Sequence, residues 1–202
     1  MKTTRFSFLK FSSIAALTMA LVGGSANAAV IINVTEVGGN VAFDVSGNLN
    51  LTGAVAAQSG SGYGLGFISG GSNWYIASGN GNGYKGYEFT SFAGAFGTNL
   101  NYFSSPSSSF GDNFFIWGQS GLTEQVAVGP NYVSGSAISS GMVFNNSTIA
   151  GFGMTSGTYN YSIPNDTVTL NIGAVSRVPE PASLALLAIG LAGLGFNRRK
   201  IA

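Results

Sequence analysis

The chain has 202 residues with eight basic and seven acidic side chains, a formal charge of +1, and neither Cys nor His. Without those two residue types there are no disulfides, no thiol nucleophile, no Ser-His or Cys-His pair and no zinc site of the usual ligands. Between Ala29 and Arg177 six acids (Glu36, Asp44, Glu88, Asp112, Glu124 and Asp166) face two bases (Lys85 and Arg177), so this stretch is acidic and offers no basic patch for nucleic acid.

The N-terminus reads as an export signal. Lys2, Arg5 and Lys10 form a basic region, Phe11 to Val22 a mostly apolar one, and Ala26-Asn27-Ala28 a small-residue cleavage site. The pattern predicts a signal peptide over residues 1–28, cut by signal peptidase between Ala28 and Ala29.

From Ala29 onward the local pattern is β. Val41, Phe43, Val45, Leu49 and Leu51 alternate with polar or small residues, which predicts a strand with one buried face and Gly47 as a bulge. Gly38-Gly39-Asn40 joins it to Val30–Val37 as a hairpin. Short strands are predicted around Gly64–Ile68, Trp74–Ala77, Tyr87–Phe92, Phe114–Trp117, Gln125–Val128, Ala137–Phe144 and Thr148–Phe152. A second hairpin, Thr158–Ile163 with Thr167–Ile172, turns at Pro164-Asn165-Asp166. No segment keeps a helical period, and turn residues recur at roughly ten-residue intervals. We therefore expect an all-β single domain over 29–173, an antiparallel β-sandwich or jelly-roll-like fold, followed by a linker over 174–183.

Few groups in this body suggest chemistry. Lys85 lies in the Gly/Asn-rich stretch Gly79–Tyr87 and reads as a loop lysine. Gly111-Asp112-Asn113 and Asn165-Asp166 carry oxygens without the density of a calcium loop, and Asn and Asp are common in turns for backbone reasons. Neither catalytic residues nor a metal or cofactor site is expected. The adjacent pairs Trp74-Tyr75 and Phe114-Phe115 must each turn one ring outward if they lie on strands, and an outward ring beside Asn and Gln suits contact with a glycan.

The C-terminus carries the most specific pattern. Val178-Pro179-Glu180-Pro181-Ala182-Ser183 precedes an uncharged run from Leu184 to Phe196 and the basic cluster Arg198-Arg199-Lys200. A helix over that run would be about 20 Å long against a hydrocarbon core of ~30 Å, short enough to need extension by flanking residues and snorkelling arginines. Its position, its glycines and its basic end favour a transmembrane helix over 184–197 with a cytoplasmic basic end over 198–202.

With a signal peptide at the other end, this tail resembles the bacterial PEP-CTERM sorting arrangement. The resemblance implies that Val178, Pro179, Glu180 and Pro181 form the sorting motif, read by the membrane transpeptidase exosortase, and that Arg198, Arg199 and Lys200 form the basic stop. It further implies a Gram-negative host, an inner-membrane-anchored intermediate and final residence in the envelope, surface or extracellular matrix. Gly129–Ala137, Thr148–Met154, Gly157-Thr158-Tyr159 and Asp166–Gly173 are similar to a β-rich body region that recurs in uncharacterised proteins with such tails. The combined expectation is a non-enzymatic exported protein associated with exopolysaccharide or biofilm. The rival is a glycosidase-like enzyme that uses two of the six carboxylates.

Overall fold

A computed structural model describes residues 29–71, 73–98, 104–119 and 121–173. The predicted signal peptide with Ala26 and Ala28, and the predicted linker, sorting motif Val178 to Pro181, transmembrane helix and basic stop at Arg198 to Lys200, lie outside the described residues. Among the described residues no helix is long and apolar enough to cross a membrane.

The described chain is all β, in two sheets. In chain order the strands are β1 (Ala29–Val37), β2 (Asn40–Asn48), β3 (Ala56–Gly60), β4 (Gly66–Ile68), β5 (Asn73–Ser78), β6 (Tyr84–Glu88) and β7 (Ser91–Phe92). They continue with β8 (Ser108–Gly111), β9 (Phe114–Gln119), β10 (Gln125–Val128), β11 (Ala137–Phe144), β12 (Gly157–Ile163) and β13 (Asp166–Ile172). The first sheet runs β7-β12-β13-β1-β2-β11-β8 and the second β3-β6-β10-β9-β5-β4.

Alternation decides which side chains meet between the sheets. Val30, Ile32 and Val34 of β1, Val41, Phe43 and Val45 of β2, and Val168, Leu170 and Ile172 of β13 are buried on one face of the first sheet. From the second sheet come Phe67, Trp74, Ile76, Phe114, Ile116, Val126 and Val128. The two sets touch through aromatic rings: Phe43 lies 5.4 Å from Phe67, and Tyr161 lies 4.9 Å from Trp74, centroid to centroid. Such pairs favour offset or tilted geometry, and these rings join the sheets into one apolar core.

Both predicted hairpins form. The first turns through Gly38 and Gly39, at φ 59° and 77°, with Val37 opposite Asn40. Positive φ at both central positions is what a two-residue hairpin loop demands and glycine accepts. The second turns through Pro164-Asn165, with Ile163 opposite Asp166.

Four expectations change. Gly47 makes no bulge, since β2 keeps register with β1 through it; a Cβ there would lie 2.0 Å from the Ala29 carbonyl oxygen, and this close approach is why the position is glycine. Lys85 is on strand β6, opposite Val128 and Ser59, because the Gly/Asn turn ends at Gly83. Thr148–Phe152 is a turn, closed by Phe152 N donating to Thr148 O at 3.1 Å and Gly151 N to Thr148 Oγ1 at 2.9 Å. The pairing is not wholly antiparallel: β1 runs parallel to β13, from Ala29 opposite Thr167 to Val34 opposite Ile172.

Candidate functional site: an aromatic cleft on the outer face of the second sheet

A second apolar cluster lies on the opposite face of the second sheet. Ala77 of β5, Phe115 of β9 and Ala127 of β10 are directly opposite one another in register and buried, with Gly86 of β6 next in the row. Two alanines and a glycine around one phenylalanine leave a shallow floor. Tyr63, Tyr75, Tyr84 and Trp117 stand around it. The rings of Tyr84, Tyr63 and Tyr75 lie 4.8, 5.0 and 5.8 Å from that of Phe115.

These walls are fixed by polar anchors. The Tyr63 hydroxyl donates to the Ser78 carbonyl at 2.7 Å, and the Tyr75 hydroxyl donates to Gly64 O. Burial pushes both phenols up from their ordinary value, Tyr75 with added repulsion from Tyr63 and Tyr84, so both remain neutral donors at physiological pH. Trp117 Nε1 donates to Asn73 Oδ1 at 3.3 Å. The loop between β3 and β4 is held over the sheet by Tyr63 N donating to Gly81 O and Gly83 N to Ser61 O.

One polar group follows from a defect in the sheet. The β3–β6 ladder shifts register between Ala56 and Ser59, so Gln58 N–H leaves it and donates to Gln125 Oε1 at 3.2 Å. The Gln125 side chain reaches β3 by crossing β6 above Gly86, where a Cβ would lie 2.1 Å from that oxygen. Gln125 is 1% exposed, and its carboxamide forms part of the cleft wall.

The result is a cleft of ≈ 190 Å³ between Tyr63, Tyr75, Tyr84, Trp117, Gln58 and Gln125. It continues past Gln58, Trp117 and Gln125 into a recess of ≈ 410 Å³ bounded by Leu122 and Thr123. A third recess of ≈ 480 Å³ shares Tyr84 and adds Lys85 and Pro130. None of the residues lining the three is an Asp or a Glu.

The adjacent aromatic pairs divide as strand geometry requires. Trp74 and Phe114 enter the core between the sheets, while Tyr75 and Phe115 join the outer cluster. Tyr87 and Phe89 pack against the core. Tyr63, Gln58 and Gln125 were not singled out from sequence. Gln125 shares the parity of Ala127 on a four-residue strand, which was a usable signal; Tyr63 sits in a glycine-rich loop without one.

Three of the six acids are tied up elsewhere. Glu36 accepts Ile149 N at 2.8 Å, and Asp112 accepts Ser139 N at 2.8 Å. Asp166, 7% exposed, accepts Asn50 N at 2.6 Å and Thr167 N at 2.7 Å; burial outweighs those two bonds and raises its carboxyl above the ordinary value. Asn113 holds the Gly/Asn turn through bonds with Asn80 N, Asn82 O and Gly83 O. Among the described residues no three acids gather as a metal site would need.

The PEP-CTERM protein-sorting motif matches residues 177–200, a span that contains Val178 to Pro181 and Arg198 to Lys200. No curated protein and no solved structure matches the chain. The chain thus carries a PEP-CTERM sorting signal, which marks it as an exported protein processed at the membrane by exosortase.

Proposed function

We propose that the protein is a non-enzymatic component of the cell envelope, surface or extracellular matrix of a Gram-negative bacterium, associated there with exopolysaccharide. The sorting motif over residues 177–200 carries this reading, because it delivers an exported β domain to the outside of the membrane. A signal peptide ending at Ala28 and a membrane helix over 184–197 would supply the anchored intermediate. Cleft walls without Asp or Glu favour binding over glycoside hydrolysis, which needs two carboxyl groups flanking the scissile bond.

Fractionation of the native host tests this reading. The protein should co-purify with extracellular polysaccharide, and the polysaccharide should keep its chain length during prolonged incubation with the protein. Glu88, opposite Gln125 in register, and Glu124, next to it in sequence, are the acids placed nearest the cleft by strand order. Shortening of the polysaccharide that is abolished by Glu88→Gln or Glu124→Gln would replace the binding role with the glycosidase.

A further inference from the structure

We propose that the outer face of the second sheet is a binding groove for an uncharged polysaccharide, with Trp117 and Tyr84 as stacking surfaces and Gln125 Nε2 as a fixed donor. This deepens the matrix reading and rests on it for the biological source of the ligand.

Three observations converge on that chemistry. Sugars present C–H faces that stack on aromatic rings and hydroxyls that need directional polar partners, and this face offers part-exposed rings beside two carboxamides. Gln125 lines the cleft and is held there through its oxygen by Gln58 N–H, which fixes the carboxamide beside the rings. The narrow section and the recess beyond it share Gln58, Trp117 and Gln125, and no charged side chain lines either. From β5 across to β3 the face spans four strand spacings, roughly 20 Å at ~4.8 Å each, enough for several sugars of an extended chain.

Other occupants fit less well. An added peptide strand needs a free sheet edge, whereas this groove lies on a sheet face. Single-stranded nucleic acid would use the rings but needs a basic track, and among the described residues Lys85 beyond Tyr84 is the one base near them. An anionic polysaccharide would likewise find no cationic partner in the groove.

The test uses the full chain in detergent, run in native gels containing a β-glucan, a mannan or a galactan, and in gels containing alginate as the uronate. At least one neutral polysaccharide should retard the protein, and alginate should not. Trp117→Ala and Gln125→Glu should each weaken retardation by roughly tenfold, the change expected from losing a stacked ring or an amide donor. Phe110→Ala, an exposed ring on the first sheet, should leave retardation unchanged. The chain has two tryptophans, and Trp74 is 4% exposed, so a fluorescence change on adding neutral oligosaccharide to the native protein reports Trp117 even where Trp117→Ala does not fold. Absence of retardation by any neutral polysaccharide, equal retardation by alginate, or native-like binding by folded Trp117→Ala and Gln125→Glu overturns the groove. A protein that reaches the surface yet fails these tests sinks the groove alone and leaves the sorting reading standing.

Discussion

Phe114 and Phe115 are neighbours in sequence, both buried, and on opposite faces of β9, so truncating each should have a different consequence. Phe114 is 0% exposed inside the core that joins the two sheets, where neighbours on both sides prevent collapse. Phe114→Ala should therefore cost ~4 kcal/mol, within the 3–5 kcal/mol usual for a buried phenylalanine, or about 10–15 °C in Tm for a domain of this size. Phe115 is 3% exposed, but it floors an open cleft and is packed by the rings of Tyr63, Tyr75 and Tyr84 on the solvent side. Truncation there enlarges the open cleft rather than leaving a closed void, so Phe115→Ala should cost about 2 kcal/mol while reshaping the cleft floor. Urea unfolding of both variants, paired with polysaccharide retardation of the folded fraction, separates the effects: Phe114→Ala loses stability and keeps binding, and Phe115→Ala does the reverse in proportion. Equal losses in both assays, or a Phe114→Ala cost below about 1 kcal/mol, would refute the assignment of the two rings to separate clusters.

Asp166 carries a pH signature. Its folded carboxyl lies above the ordinary value of 3.8, so between 3.8 and the raised value the native state binds more protons than the unfolded chain. The Asp166 contribution to stability must then fall as pH rises through that window, and Asp166→Asn should remove this slope. Because the amide keeps one acceptor for two backbone donors, the variant should also be about 1–3 kcal/mol less stable at neutral pH. Thermal unfolding of both proteins from pH 3 to pH 7 checks the sign, and an Asp166-dependent gain on raising the pH would contradict it. Gly86→Ala places a methyl group 2.1 Å from Gln125 Oε1 and 2.4 Å from the Gln58 carbonyl, so it should expel the Gln125 side chain and weaken polysaccharide retardation at least as much as Gln125→Glu, at a cost of about 1–3 kcal/mol. Full binding by a folded Gly86→Ala protein would show that Gln125 is not needed in its observed place.

What the sequence made legible was local and periodic. Val41, Phe43 and Val45 announce a half-buried strand, and the strands Gln125–Val128 and Ala137–Phe144 fall where expected, because apolar parity and flanking turn residues agree there. Ala56–Gly60 and Ser108–Gly111 went unread, being edge strands of mostly exposed small or polar residues with no apolar alternation to betray them. Thr148–Phe152 misled in the other direction, since its β-branched and aromatic residues suit a strand while the Thr148 hydroxyl and carbonyl close a turn. The parallel pairing of β1 with β13 joins residues more than 130 apart and leaves no trace in a local window. The cleft was half legible: strand parity alone sends Tyr75 and Phe115 outward together, but the register shift that frees Gln58 N–H and recruits Gln125 is a property of the assembled sheet.

The central claim, that the C-terminal signal is read by exosortase, is tested most directly by intact mass and fractionation of the protein from its native host with and without that enzyme. The account predicts a species that begins at Ala29, ends near Pro179-Glu180-Pro181 and lies outside the inner membrane only when exosortase is present. An unchanged C-terminus and unchanged location in both strains would contradict it and leave Leu184 to Phe196 an ordinary membrane anchor.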